Sequence, residues 1–154
     1  MSGNRAYVAE NNAQRERLRA LVARLSDDDL SRPLDAGWTI AGVLGHLIFW
    51  DQRTLVLIES WKRTPHASPR NIDQNDVDWI NDSAKALCLA LAPRAAARLA
   101  VATAEAVDRA VEGLSDSQVA ANDAAGRPLN LFRAEHRREH LDEIEQVLKK
   151  ARGN

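Results

Sequence analysis

The feature that most constrains the fold of this chain is a stripe of large side chains in the segment from Thr39 to Arg63. Its members recur at alternating intervals of four and three residues, which places all of them on one face of an α-helix. The stripe consists of Val43, Leu47, Trp50, Thr54, Leu57 and Trp61. Such spacing is typical of the contact between helices in a bundle. We therefore expect one long helix here, with Thr39 as its N-cap.

The remaining segments indicate that this helix packs against others like it. Helical periodicity predicts main helices over residues 4–25, 93–114 and 129–151, and a short helix over residues 76–90. Alternating runs of β-branched residues, which would indicate strands, are absent. The connections, residues 26–37 and 115–128, contain the prolines and glycines that end helices. The sequence predicts an all-α four-helix bundle, with the short helix between its second and third main helices.

Length and composition exclude several classes of protein. A chain of 154 residues fits one domain, which we expect to span residues 1–154. The net charge of −1 gives no strongly basic surface for nucleic acid. No apolar run approaches the ~20 residues that cross a bilayer, and the N-terminus lacks an apolar signal region. Cys88 is the only cysteine, so no disulfide can form within the chain. We expect a soluble, cytoplasmic protein that binds neither nucleic acid nor membranes.

Three histidines are the candidate functional residues. His136 and His140 are four residues apart in the predicted last helix, so they lie on the same face. That face continues through Ile144 and is apolar, which points both imidazoles toward the core. His46 lies at the edge of the stripe on the second main helix. Three imidazoles can bind one metal ion and leave positions for water or substrate, as reactive metal sites do. The fourth histidine, His66, is expected in an exposed loop.

The alternative for each histidine is an ordinary core residue with a hydrogen-bond partner, and for His46 taken alone this is the better interpretation. Burying several imidazoles without partners costs about 1–3 kcal/mol for each unsatisfied group, and one metal ion satisfies all three. Neutral nitrogen ligands suit zinc, nickel, iron or copper better than magnesium or calcium. Zinc or nickel is our first expectation, and iron is the alternative.

Three segments together resemble the DinB/YfiT-like superfamily. They are Gly37-Trp38-Thr39 followed by Gly45-His46-Leu47, then Asp78-Trp79-Ile80-Asn81, and finally His136-x-x-x-His140 with Leu141-Asp142-Glu143-Ile144. The resemblance covers nearly the whole chain. It implies a four-helix bundle of up-down-down-up topology, with a divalent metal held by His46, His136 and His140. Relatives in that superfamily include thiol-dependent transferases and an isomerase that use mycothiol or bacillithiol, and many members have no known activity.

Two functions remain open from the sequence. The first is a metal-dependent enzyme, a thiol transferase or hydrolase acting on a small molecule with a low-molecular-weight thiol as partner. A metal ion with neutral ligands would lower the pKa of a bound thiol or water. The second is a non-catalytic metal-containing protein that binds or sequesters a small molecule, because no acid–base residue is evident. A structural metal site normally has four protein ligands, which argues against that role. A homodimer is expected from the alanine-rich third main helix and from exposed tryptophans.

Further residues near the histidines have two interpretations each. Glu139, Glu143 and Asp51 either hydrogen-bond an imidazole or are solvated carboxylates, and solvation is the simpler expectation. Trp50 follows His46 by one helical turn, so it either lines the metal pocket or belongs to the core.

The remaining candidates are an arginine cluster, an asparagine on the first helix and the cysteine. Arg133, Arg137 and Arg138 form a basic cluster, expected to be a solvated face, with binding of an anionic substrate group as the alternative. Asn11 either lines a substrate cavity or is exposed. Cys88 is expected to be a small core residue.

Overall fold

The computed structural model describes residues 5–65 and 69–153, and within these ranges it contains seven α-helices and no β-strand. The helices are α1 (Ala6–Arg24), α2 (Asp27–Leu30), α3 (Ile40–Arg63), α4 (Gln74–Ala90), α5 (Pro93–Glu112), α6 (Asp116–Ala124) and α7 (Ala134–Arg152). One turn of 3₁₀-helix precedes α3, at Asp35–Gly37. The prediction of an all-α protein is confirmed. No helix among the described residues is long and apolar enough to cross a membrane.

Two short helices, α2 and α6, occupy segments that were predicted to be connections. Each begins with a capping box, in which the N-cap side chain accepts a hydrogen bond from the backbone N–H three residues later. The side chain of that later residue accepts one from the backbone N–H of the N-cap residue. Ser26 and Asp29 form this motif at α2, and Ser115 and Gln118 form it at α6. Both motifs are visible in the sequence, so the prediction of irregular connections was wrong for an identifiable reason.

The last helix begins at Ala134, later than the predicted start at residue 129. The backbone of Leu129 is held outside the helix by the buried side chain of Asn122. Asn122 accepts a hydrogen bond from the N–H of Leu129 and donates one to its carbonyl, each at 3.0 Å. Asn122 lies on α6, so the helix that the sequence reasoning missed sets the start of α7.

The four long helices α1, α3, α5 and α7 contact one another around a shared interior. Both α1 and α3 pack against α5 and against α7. Of the predicted stripe on α3, Val43, Leu47, Thr54 and Trp61 are buried, whereas Trp50 and Leu57 are half-buried. Ala97, Ala100 and Ala104 of α5 lie in the same core as α3, and their small side chains allow the two helices to approach closely.

The helix α4 packs against α3 through a close approach at Gly45. A Cβ atom built on Gly45 would lie 3.1 Å from the Cβ and 3.3 Å from the Cα of Cys88. Glycine at this position therefore allows α4 to approach more closely than a larger residue would. Cys88 is buried in the contact, as expected for a small core residue. The contact brings α4 alongside the segment of α3 that carries His46.

Candidate metal centre

His46 on α3 meets His136 and His140 on α7, as the sequence predicted. The ring centroids of every pair in the triad are 4.9 Å apart. The Nε2 atoms of His46 and His136 are 2.9 Å apart, and one ligand atom from each of the three rings lies within 4.8 Å of the others. His66 lies outside the described residues.

Side-chain caps fix both helices that carry the triad. Thr39 begins α3 by accepting a hydrogen bond from the N–H of Gly42 at 3.0 Å. The first turn of α7 is held by Asn11 of α1, which accepts from the N–H of Ala134 at 2.8 Å and donates to the carbonyl of Leu131 at 2.9 Å. Asn11 is buried. It therefore neither lines a substrate cavity nor faces solvent, but positions the helix that provides two of the three histidines.

The three imidazoles fit the requirements of a metal site. Two nitrogen ligands of one zinc ion lie about 2 Å from the metal and hence about 3 Å from each other, which is close to the observed Nε2 separation. Burial lowers the pKa of His46 to about 4 and that of His136 to about 2, and the neighbouring His140 adds to both effects. Both rings are therefore neutral near pH 7, which is the form that coordinates a metal.

One of the three candidate carboxylates contacts the triad. The Nδ1 atom of His140 lies 3.2 Å from an Oε atom of Glu143. When Nδ1 donates to this carboxylate, the lone pair of His140 is on Nε2, where a metal can use it. Glu139, one turn earlier on α7, is exposed on the wall of the cavity described below. Glu143 therefore orients a ligand candidate, whereas Glu139 does not.

Asp51 has a different role, because its carboxylate is buried between Arg133, the N-cap residue of α7, and Arg137 within that helix. Arg133 donates to one oxygen at 2.9 Å and Arg137 donates to the other at 3.2 Å. The two arginines are only 5% and 1% exposed, so the expectation of a solvated basic face was wrong for them. Arg138 alone follows it, with a partly exposed ion pair to Glu10 at 2.8 Å. Asp51 fixes α7 against α3 on both sides of His136.

A cavity of about 970 Å³ opens beside the triad, with walls from α3, α4 and α7. The ring of Trp38 packs edge-on to His46, with centroids 5.8 Å apart. Trp50 also lines the cavity, and its indole N–H donates to the side-chain oxygen of Asn81 on α4 at 2.8 Å. Trp50 is therefore a wall of the pocket rather than a fully buried core residue. This bond fixes the orientation of its ring.

Comparison with known protein families adds one finding. The sequence model of the DinB superfamily matches this chain over residues 10–144. The chain belongs to the DinB superfamily. No curated protein and no solved structure matches it.

The segments that resemble the DinB superfamily all surround the metal centre. Trp38 and Thr39 lie beside His46 and at the start of its helix, and Gly45 allows the approach of α4. For Asn81 the sequence predicts no role beyond its place in one of these segments. It could have been identified as a polar residue on one predicted helix that faces a tryptophan on the neighbouring helix. Its function is to fix the indole of Trp50.

Proposed function

We propose that this DinB superfamily chain binds one divalent transition metal ion through His46, His136 and His140 and uses it as an enzyme. The reaction would be transfer of a thiol to a small electrophilic molecule, or hydrolysis. The observation that supports this most directly is the meeting of three imidazoles beside a cavity large enough for a small molecule.

The bound metal would supply a Lewis acid that lowers the pKa of a coordinated thiol or water. The residues of the chain prepare the site for this chemistry. Glu143 orients His140, and the buried pairing of Asp51 with two arginines holds α7 against α3. The indole rings of Trp38 and Trp50 form apolar walls that reduce contact with water. Three protein ligands leave positions for thiol, water or substrate.

We propose zinc or nickel as the metal, with iron as the alternative, because all the ligand atoms in the triad are imidazole nitrogens. The second candidate function is a metal-containing protein that binds or sequesters a small molecule without converting it. It is favoured by one observation: Glu143, the carboxylate in contact with the triad, is engaged by His140 and is not free to transfer a proton to substrate.

Metal analysis of purified protein tests the site. Wild-type protein is expected to contain about one equivalent of a transition metal, and His46→Ala and His136→Ala are each expected to lose it. His66→Ala is the control, because this histidine is the one outside the triad. Full metal retention in either triad variant would exclude the proposed ligand set.

Spectroscopy of the cobalt-substituted protein tests the open coordination position. A small thiol such as 2-mercaptoethanol is expected to change the d–d spectrum of wild-type protein and to leave that of His140→Ala unchanged. A metal that responds to no thiol, anion or imidazole would leave only a structural role. Thiol binding without any transfer to electrophiles would support the sequestering function.

We also propose a single domain in which the four long helices follow the up-down-down-up order. Side-chain pairs support this order. Between α1 and α7, position along one helix rises with position along the other, as in Glu10–Arg138 and Arg17–Asp142. Between α3 and α7 the order reverses, as in His46–His140 and Asp51–Arg133. Between α1 and α5 it also reverses, as in Arg5–Glu112 and Arg15–Asp108.

A homodimer in the cytoplasm remains a prediction. The surface on which we expect the dimer to form differs from the one expected from the sequence. Four alanines of α5, Ala96, Ala97, Ala100 and Ala104, are buried within the chain and are not available to a second copy, whereas three others on the helix are exposed. Trp79 on α4 is 58% exposed and remains available for one. Light scattering would measure the mass in solution, and a monomeric mass at micromolar concentration would contradict the prediction.

A further inference from the structure

Arg53 lies on the same face of α3 as His46, two helical turns further along the helix. Seven residues separate them, which corresponds to about 10 Å along the helix axis. Trp50 lies between them on this face, and all three side chains line the cavity. A molecule that contacts the metal centre at one end can therefore extend past an indole ring toward a guanidinium.

Arg53 differs from the other basic side chains of the cavity in having no oxygen partner. The basic residues of the wall are Arg53, Lys85, Arg127 and Arg133. Arg127 and Arg133 each form an ion pair with a carboxylate, and Lys85 donates to a backbone carbonyl. Within residues 5–65 and 69–153, Arg53 has no carboxylate or carbonyl at hydrogen-bonding distance. Its guanidinium carbon lies 5.6 Å from the ring centroid of Trp50.

The surroundings of Arg53 leave its positive charge poorly compensated. The side chain is half-buried, and burial lowers its pKa, with a further contribution from the charge of Arg133. An arginine remains protonated at neutral pH in such a site, because its unperturbed pKa is above 12. A guanidinium without a partner presents a planar fork of N–H donors, which matches the two oxygens of a carboxylate.

The charge balance of the cavity also favours an anion once the metal is bound. The cavity is lined by four basic side chains and by five acidic ones. The acidic side chains are Asp35, Asp82, Glu135, Glu139 and Glu143. Three of the five lie along α7, whereas Arg53 is on α3. A divalent ion held by neutral imidazoles adds two positive charges to this balance.

We propose that Arg53 binds a carboxylate of the substrate, and that the substrate carries a metal-binding group at its other end. The indole of Trp50, fixed by Asn81, contacts the part between the two ends. This inference rests on the proposed function for the metal-bound end, but the role of Arg53 can be tested separately from it. Arg53 would then be the specificity-determining residue of the cavity, selecting anionic small molecules over neutral ones of the same length.

Matched thiols test the selection in the cobalt-substituted protein. The probes are 3-mercaptopropionate with 3-mercaptopropan-1-ol, and 6-mercaptohexanoate with 6-mercaptohexan-1-ol, titrated by the d–d spectrum. At one chain length or both, wild-type protein is expected to bind the carboxylate about tenfold more tightly than the alcohol, as one charge-assisted hydrogen-bonded pair provides. Arg53→Gln is expected to abolish this preference without weakening the alcohol, and Arg53→Lys to keep part of it. Arg63→Gln, an exposed arginine of the same helix, is the control.

The outcomes separate this inference from the proposed function. If the alcohols and carboxylates bind equally at both lengths, or if Arg53→Gln keeps the preference, the role of Arg53 is overturned while the metal site stands. If no thiol changes the spectrum, the proposed function fails. Carboxylate binding by Arg53 is then tested in the metal-free protein. Hexanoate is then expected to shift the Nε–H resonance of Arg53 in an NMR titration, and hexan-1-ol is not. No shift with hexanoate would overturn the inference there too.

Discussion

The guanidinium of Arg137 and the carboxylate of Asp108 form a bidentate ion pair in the core of the molecule, with both N···O distances at 2.8 Å. Arg137 is on α7 and Asp108 is on α5. Arg15 of α1 contacts the same carboxylate at 2.8 Å, and Asp51 of α3 contacts Arg137. The buried charges therefore connect all four long helices, directly behind the histidine triad.

Asp108→Asn is expected to destabilise the protein by about 3 kcal/mol. The substitution keeps the shape of the side chain but removes the main partner of both arginines. Arg137 keeps only Asp51, which Arg133 shares, and Arg15 keeps only the exposed Glu16 at 3.8 Å. A poorly paired buried charge is costly. The control is Asp142→Asn, which removes a largely exposed ion pair with Arg17 and is expected to cost at most about 1 kcal/mol. Urea unfolding of both variants measures the difference. Equal losses would contradict a special role for the buried pair.

Gly45→Ala is expected to destabilise the protein by about 1–3 kcal/mol, although alanine is the better helix former. In an ordinary helix interior this change stabilises by about 1 kcal/mol. Here the new Cβ would lie 3.1 Å from the Cβ and 3.3 Å from the Cα of Cys88, so the backbone of α4 at this point must shift by a few tenths of an ångström. The thermal unfolding midpoint measures the sign, and an increase would show that α4 yields without cost.

The stability of the metal-free protein is expected to fall as the pH is lowered below about 6.5. The folded-state pKa values of His46 and His136, about 4 and about 2, lie below the unfolded value of 6.5. Their contribution is therefore fully present above pH 6.5, and it is lost as the pH falls and the unfolded chain takes up protons first. Each of the two histidines changes the free energy of unfolding by at most about 1.4 kcal/mol per pH unit.

Denaturant unfolding of metal-free protein between pH 7 and pH 5 measures this slope. His136→Asn is expected to reduce it, because the variant lacks one of the two titrating groups. The control is His66→Asn, which leaves both groups in place. An unchanged slope in His136→Asn would show that other groups cause the acid sensitivity.

The sequence predicts the long helices well because their periodicity is strong. The helix over residues 39–63 and the position of His46 on it follow from the stripe alone. The starts at Thr39 and Pro93 were also predicted correctly, whereas the last helix begins five residues later than predicted. The first turn of α7 is held by Asn11, which is distant in sequence, and Leu129 is kept outside the helix by Asn122. Neither contact is visible as a local pattern.

The metal centre shows the same division. The meeting of the three histidines follows from their helical faces and from the family resemblance. The burial of Arg133 and Arg137 could not be predicted. A basic cluster is expected to be solvated unless acidic partners lie close to it, and here those partners are on two other helices. Asp51 was considered as a partner for an imidazole, and in the fold it is closer to these arginines.

Glu143→Ala is expected to weaken metal binding by about 10- to 100-fold, the usual effect of removing a residue that orients a metal ligand. Glu143 contacts the Nδ1 atom of His140 at 3.2 Å, so its carboxylate fixes the ring and raises the basicity of Nε2. Glu139→Ala is the matched control, because it removes the same charge from the same wall one turn earlier, where the side chain is exposed. Competition with a chelator measures both affinities. Equal losses would indicate that the general negative charge of α7 attracts the metal, and that orientation of His140 contributes nothing further.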